Sequence, residues 1–293
     1  WRPKKYTGTF GTNGFYLPMD GNSPIGEDKS GNGNNWTAVN FSGTSIDPDV
    51  LKDSPSGAVS GGRAQTGITT TSSAPSNYAT ANPLDELNAT LSNGNLDVEV
   101  NSAGTNFANS SISVSSGKWY FEHESAGANN TMMGAIPVSG TTDNTSGRNN
   151  HYLGNVAGHV VGYQFIDRNI YQNGTYFVNG GSNANSGNIV QVALDLDNGK
   201  IYFGLDNVWI NQTGSNPSTG SNGLSLAGWS SEQLWMFAGS TYNPNVTQST
   251  NFGGYTEMSI SSAASDANGY GNFEYAPPTG YYALCTKNLA EYG

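Results

Sequence analysis

Glu122 and Glu124 stand two residues apart in the run Lys118-Trp119-Tyr120-Phe121-Glu122-His123-Glu124. If that run is a strand, both carboxylates leave the same face, about 7 Å from one another. Glycoside hydrolysis uses a carboxyl pair about 5–5.5 Å apart for retention, or about 6.5–9.5 Å apart for inversion. The spacing therefore admits an acid–base pair. β-Glucanases carry a third carboxylate in such a run, whereas here His123 takes the middle position and Ser125-Ala126 follow. Without it, the two glutamates read as solvent-facing side chains, and the chain reads as a protein without catalysis. His123, His151 and His159 lack the i, i+4 spacing of a helical zinc site. Cys285, alone in the chain, forms neither an internal disulfide nor a cysteine-based zinc site.

Two further groups of residues have the chemistry to hold a ligand. Asp20, Asn22, Asp28, Asn32 and Asn34 are hard oxygen donors interleaved with Gly21, Gly31 and Gly33, a set that suits Ca2+. The same composition makes turns, and no carboxylate sits at the spacing of an EF-hand. No cofactor is expected, with Ca2+ as the one candidate metal. The second group lies on polar loops at 127–130, 139–150, 179–188 and 211–221. Their candidate contact residues are Asn129, Asn130, Asp143, Asn149, His151, Asn183, Asn185 and Asn216. Amide and carboxylate side chains on long loops can exchange hydrogen bonds with a glycan or a protein. They can equally be solubilising turns.

What must position these loops is a set of strands. Residues 188–210 alternate Ile189, Gln191, Ala193 and Asp195 on one face with Val190, Val192, Leu194 and Leu196 on the other. That period of two describes a half-buried strand. Asp197-Asn198-Gly199 then supplies a hairpin turn, and Asp206-Asn207 a second one. Further strand-like runs occur near 90–100, 112–114, 118–124, 132–138, 159–166, 169–178, 233–238 and 250–252. Helical periodicity is absent, apart from one helix-like turn at 83–87. Many short strands with no helices between them predict an antiparallel sandwich or barrel.

Composition agrees. Gly numbers 39, aromatics reach 11% and charged residues only 11%, with a mean hydropathy of -0.47. A net charge of -11 with 11 Lys and Arg gives no basic face for nucleic acid. No apolar run of about 18 residues is present, so membrane insertion is not expected. Residues 1–81 form an arm of turns, with one or two short strands within 6–19 and Asn/Gly-rich loops. Residues 82–286 form the sandwich, and 287–293 a tail.

The motifs GKWYFE (117–122), VALDLDNGKIYF (192–203), NFG (251–253) and PPTGY (277–281) resemble a SPRY domain over about 82–286. That resemblance implies an all-β, concanavalin A-like antiparallel sandwich, jelly-roll-like, used for recognition and not for catalysis. Upstream, FYLPMD (15–20) and DKSGNGNNW (28–36) look like virion proteins of tailed, especially marine, bacteriophages. What this implies is a particle-surface protein, a tail fibre or tail-associated adhesin binding a host glycan or protein. Its partners would be other virion subunits and further copies of itself, as a trimer in a fibre. The alternatives are a decoration protein contacting other capsid or tail subunits, and a glycan-active hydrolase on the same fold.

Overall fold

The computed structural model describes residues 6, 8–17, 26–37, 77–87, 89–100, 106–127, 130–138, 161–167, 169–172, 175–179, 183–226, 228–230, 233–241, 246–254 and 256–293. The chain divides into two compact units, Trp1–Asn77 and Tyr78–Gly293. The second unit is the expected sandwich of two sheets. The first sheet has seven strands in the order β1(Ala81–Leu87), β4(Asn106–Ser110), β14(Trp235–Thr241), β6(Thr131–Pro137), β7(Val161–Gln164), β8(Asn169–Gln172), β9(Thr175–Asn179). The second runs β12(Val208–Trp209), β11(Lys200–Leu205), β10(Ile189–Asp195), β5(Lys118–Glu124), β15(Thr247–Asn251), β3(Asp97–Val100), β2(Ala89–Ser92). Short β13(Leu224–Ser225) joins β11, and β16(Tyr282–Ala283) lies parallel to β5; the other described pairings are antiparallel.

The β10–β11 hairpin forms as its sequence dictates. Val192 pairs Phe203, Leu194 pairs Ile201, and Gly199 closes the turn at φ 60°. Asp206 and Asn207 turn the chain again at φ 46° and 66°, values that Asx residues tolerate. Between β2 and β3, Asn93, Gly94 and Asn95 all take positive φ. Gln172 of β8 pairs Thr175 of β9, and residues 173–174 lie outside the described residues.

Alternation places Trp119 and Phe121 of β5, Val190, Val192 and Leu194 of β10, and Ile201 and Phe203 of β11 in the space between the sheets. There they join Tyr163, Trp235 and Phe237 of the facing sheet. Burial of such aromatic and aliphatic side chains is the dominant stabilising term.

Several expectations are corrected. Strand β10 is buried on both faces, not one. Residues 256–281 form a strap over the outer face of the nine-stranded sheet, setting Phe273 edge-on against Tyr120 at 5.0 Å. The helix-like fragment at 83–87 is part of β1, an edge strand where Pro83 deprives no neighbour of a ladder donor. The 287–293 tail belongs to α1(Thr286–Tyr292), whose Leu289 and Tyr292 pack on the core. The unit also starts before Asn82: Tyr78 bridges Cys285, and the Ala79 N–H donates to the Leu284 carbonyl at 2.9 Å.

The first unit contains no strand among its described residues, where one or two were expected. It is a knot of turns tied by backbone hydrogen bonds from Lys29 to Tyr16 and from Trp36 to Gly26. Phe10 stacks on Tyr16 and Phe15 tilts against Trp36. Among the described residues, no helix is long and apolar enough to cross a membrane.

Candidate functional site

Three connections meet at one end of the sandwich, where β5 runs out and β10 begins. The Ser125 N–H donates to the Asn188 carbonyl at 2.9 Å, and the Gly187 N–H returns a bond to Ser125 at 2.8 Å. The Ser125 hydroxyl donates to the Ala184 carbonyl at 2.9 Å. Ala184 in turn donates to Phe165, and Phe165 to Thr131, which leads out of Asn130. On the other flank, Asn188 Nδ2 donates to Asp206 at 2.5 Å, and the Ile189 N–H to the same carboxylate at 2.8 Å. Loops that would otherwise pay ordering entropy are thus fixed to buried strands.

This frame brings together three of the candidate residues, Asn130, Asn183 and Asn185. Asn185 is exposed, and its own N–H is held by Asn188 Oδ1 at 2.7 Å. The Asn183 Oδ1 is enclosed without a hydrogen-bond donor. Asn216 is not part of the group. It bridges Ser221 beside the Lys200–Gly220 hydrogen bond, at the opposite end of β11. Asn129, Asp143, Asn149 and His151 lie outside the described residues. Ser125, Asn188 and Asp206, which build the frame, were not among the expected residues. The signal for them was Asx chemistry at strand ends, which the sequence shows at many other places too.

The calcium reading fares differently. Asp28 is buried, and its carboxylate accepts the N–H groups of Tyr16, Ser30 and Asn34 at 2.8–2.9 Å and the Ser30 hydroxyl at 2.7 Å. Burial pushes its pKa up, but these donors outweigh it and hold the carboxyl well below the usual range. Asn32 Nδ2 donates to the carbonyls of Gly11 and Gly14 at 2.6 and 2.8 Å. Both side chains serve as staples of the knot, and a cation at Asp28 would have to displace four donors. Asp20 and Asn22 lie outside the described residues.

Glu122 corrects the sequence reading most sharply. It is fully buried, not solvent-facing, while Glu124 is half-buried. Its oxygens accept the N–H groups of Glu274 and Tyr275 and the hydroxyl of Tyr120, each at 2.8 Å. Burial raises its pKa to about 7, opposed by the two backbone donors and Tyr120. The strap seals it from any substrate. On the other face of β5, His123 is buried with Nδ1 3.3 Å from the Thr250 hydroxyl, and desolvation lowers its pKa to about 3. Near Thr250 a cavity of about 30 Å³ opens between the sheets, lined in part by Phe121, Phe237 and Gln248. It has room for one or two waters.

No family model matches the chain, and no curated protein matches it. Among solved structures it is similar to the SPRY domain of human HERC1, at 17% identity and TM-score 0.44, covering 58% of this chain and 96% of that one. It is also similar to another human SPRY domain, at 14% identity and TM-score 0.41, covering 56% and 95%. The all-β sandwich of two almost wholly antiparallel sheets is the fold class of this chain.

Proposed function

We propose that this protein is a recognition module that binds a glycan or protein through the loop end at Asn130, Asn183 and Asn185, without catalysis. The observation that carries this reading is the rigid frame of Ser125, Asn188 and Asp206, which holds exposed Asn185 and half-buried Asn130 and Asn183 beside fully buried strands. Preorganised polar groups lose little entropy when a partner arrives. Glu122, the carboxylate best suited to acid–base work by its pKa, is sealed beneath the strap and offers a substrate nothing.

The finer proposal is a virion surface protein of a tailed phage, as a tail fibre or tail-associated adhesin on the particle exterior. It is supported by the resemblance of residues 15–20 and 28–36 to such proteins. The test is binding of the full chain to a glycan array and to host-cell envelopes. Asn130→Ala with Asn185→Ala should abolish capture and leave the melting temperature within about 2 °C of wild type. Release of reducing sugar by wild type would refute the non-catalytic reading.

A second reading, a structural subunit contacting other virion proteins or copies of itself, is favoured by one observation. Tyr6, Phe15 and Trp36 of the first unit are 59%, 44% and 57% exposed, large rings of the kind that interfaces bury. Light scattering that gives a trimer for the full chain and a monomer for Phe15→Ser with Trp36→Ser would favour it.

A further inference from the structure

We propose that residues 256–281 act as a strap whose closure over the nine-stranded sheet is governed by the protonation of Glu122. Among the described residues, no strand of the strap joins this sheet before β16. Side chains therefore hold it down. Asn251 Nδ2 donates to the Asn272 carbonyl at 2.7 Å, and Asn251 Oδ1 accepts the Gly253 N–H at 2.7 Å. The Gly271 N–H donates to the Tyr78 hydroxyl at 3.1 Å. Asp266 gathers the N–H groups of Asn268, Tyr270 and Ala283 together with Asn288 Nδ2. Glu122 is the single titratable side chain of β5 that bonds the centre of the strap, at two consecutive N–H groups.

The groups facing Glu122 leave it poorly compensated as an anion. Its own strand contributes Tyr120 and, two residues along, Glu124. Strand β10 presents Gln191 opposite it and β15 presents Asn251, both neutral. The strap contributes Tyr275 and Glu274, and the Glu274 carboxylate adds repulsion. No described cation pairs with Glu122. Of its three donors, the two N–H groups cannot accept a proton, so protonation must reverse the Tyr120 bond, with Glu122 Oε1 donating to the phenol oxygen. Gln191 Nε2 already steers that phenol from 3.0 Å.

Opening the strap hydrates Glu122 and returns its pKa from about 7 toward its ordinary value of 4.5. The closed form thus binds the proton more tightly, so closure strengthens as pH falls. The experiment is hydrogen exchange of the full chain at pH 8 and pH 5.5, corrected for intrinsic exchange rates. Protection of the Gly271, Glu274 and Tyr275 amides should rise about 30-fold at the lower pH, while that of Val192 and Leu194, where Glu122 and His123 offset one another, stays within a few-fold. In Glu122→Gln the strap amides themselves should show no rise, whatever the change at Val192 and Leu194. Should that variant not fold, the wild-type ratio decides, since a rise confined to the strap supports the proposal. Strap protection that ignores pH, rises equally in β10, or keeps its rise in Glu122→Gln overturns it.

Discussion

The carboxylate of Glu122 accepts the backbone N–H of Tyr275 at 2.8 Å, although 153 positions separate the two residues. One strand face is thereby converted from a surface into an interior. Tyr120, Gln191 and Ala193, on the face that alternation assigns to solvent, are fully buried beneath the strap. The sheet is covered on both sides, so its strands carry apolar residues on both, and polar groups there need partners.

Stability of the whole unit should be nearly independent of pH between about 5 and 6.5 as far as Glu122 and His123 are concerned. The Glu122 pKa is raised from 4.5 to about 7, so its contribution is full below 4.5 and is lost as pH rises toward 7. The His123 pKa is lowered from 6.5 to about 3, so its contribution is full above 6.5 and is lost as pH falls. In the shared window the two slopes oppose one another. Glu122→Gln should unmask the histidine, and urea midpoints should then show stability rising by up to about 1.4 kcal/mol per pH unit. An unchanged slope would mean that the two groups do not offset.

Leu194→Ala should cost about 2–5 kcal/mol, because the side chain is fully buried between Trp119 and Ile201 on the core face. Chemical denaturation measures this directly. A loss under about 0.5 kcal/mol would contradict the facing of β10.

Gly199→Ala should destabilise by about 1–3 kcal/mol. The residue sits at φ 60°, and an added Cβ would lie 2.6 Å from the Trp229 ring. Thermal melting of this variant beside Asn198→Ala separates the turn conformation from the ring contact. The glycine substitution should be the more damaging.

Asp28→Ala should loosen the first unit and leave the sandwich intact. Four hydrogen bonds from Tyr16, Ser30 and Asn34 end on that one carboxylate. Amide exchange at these positions should accelerate while Val192 and Leu194 keep their protection. Added Ca2+ should not slow exchange at Tyr16 and Asn34 in the wild type. If it does, the loop is a cation site after all.

The sequence by itself determined the local elements of this protein. The alternation through β10 and the Asp197-Asn198-Gly199 turn dictate a hairpin, since period and turn chemistry act between near neighbours. The inward facing of Trp119, Phe121 and Leu194 follows from the same rule. The motifs at 251–253 and 277–281 could be read, but their role could not. Asn251 ties Gly253 to Asn272, and Tyr281 is buried beneath the segment that it ends. Nothing local marks α1 as a helix either: Cys285 offers no side-chain cap, and the helix persists because Leu289 and Tyr292 meet the core. For the site, the sequence named Asn130, Asn183, Asn185 and Asn216 alike, and the register of β11 on β10 separated the last from the others. Only the tertiary structure decided which loops share an end and which glutamate is sealed. Both depend on contacts between residues far apart in the chain, and an alternating pattern shows which way a side chain points without showing what comes to cover it.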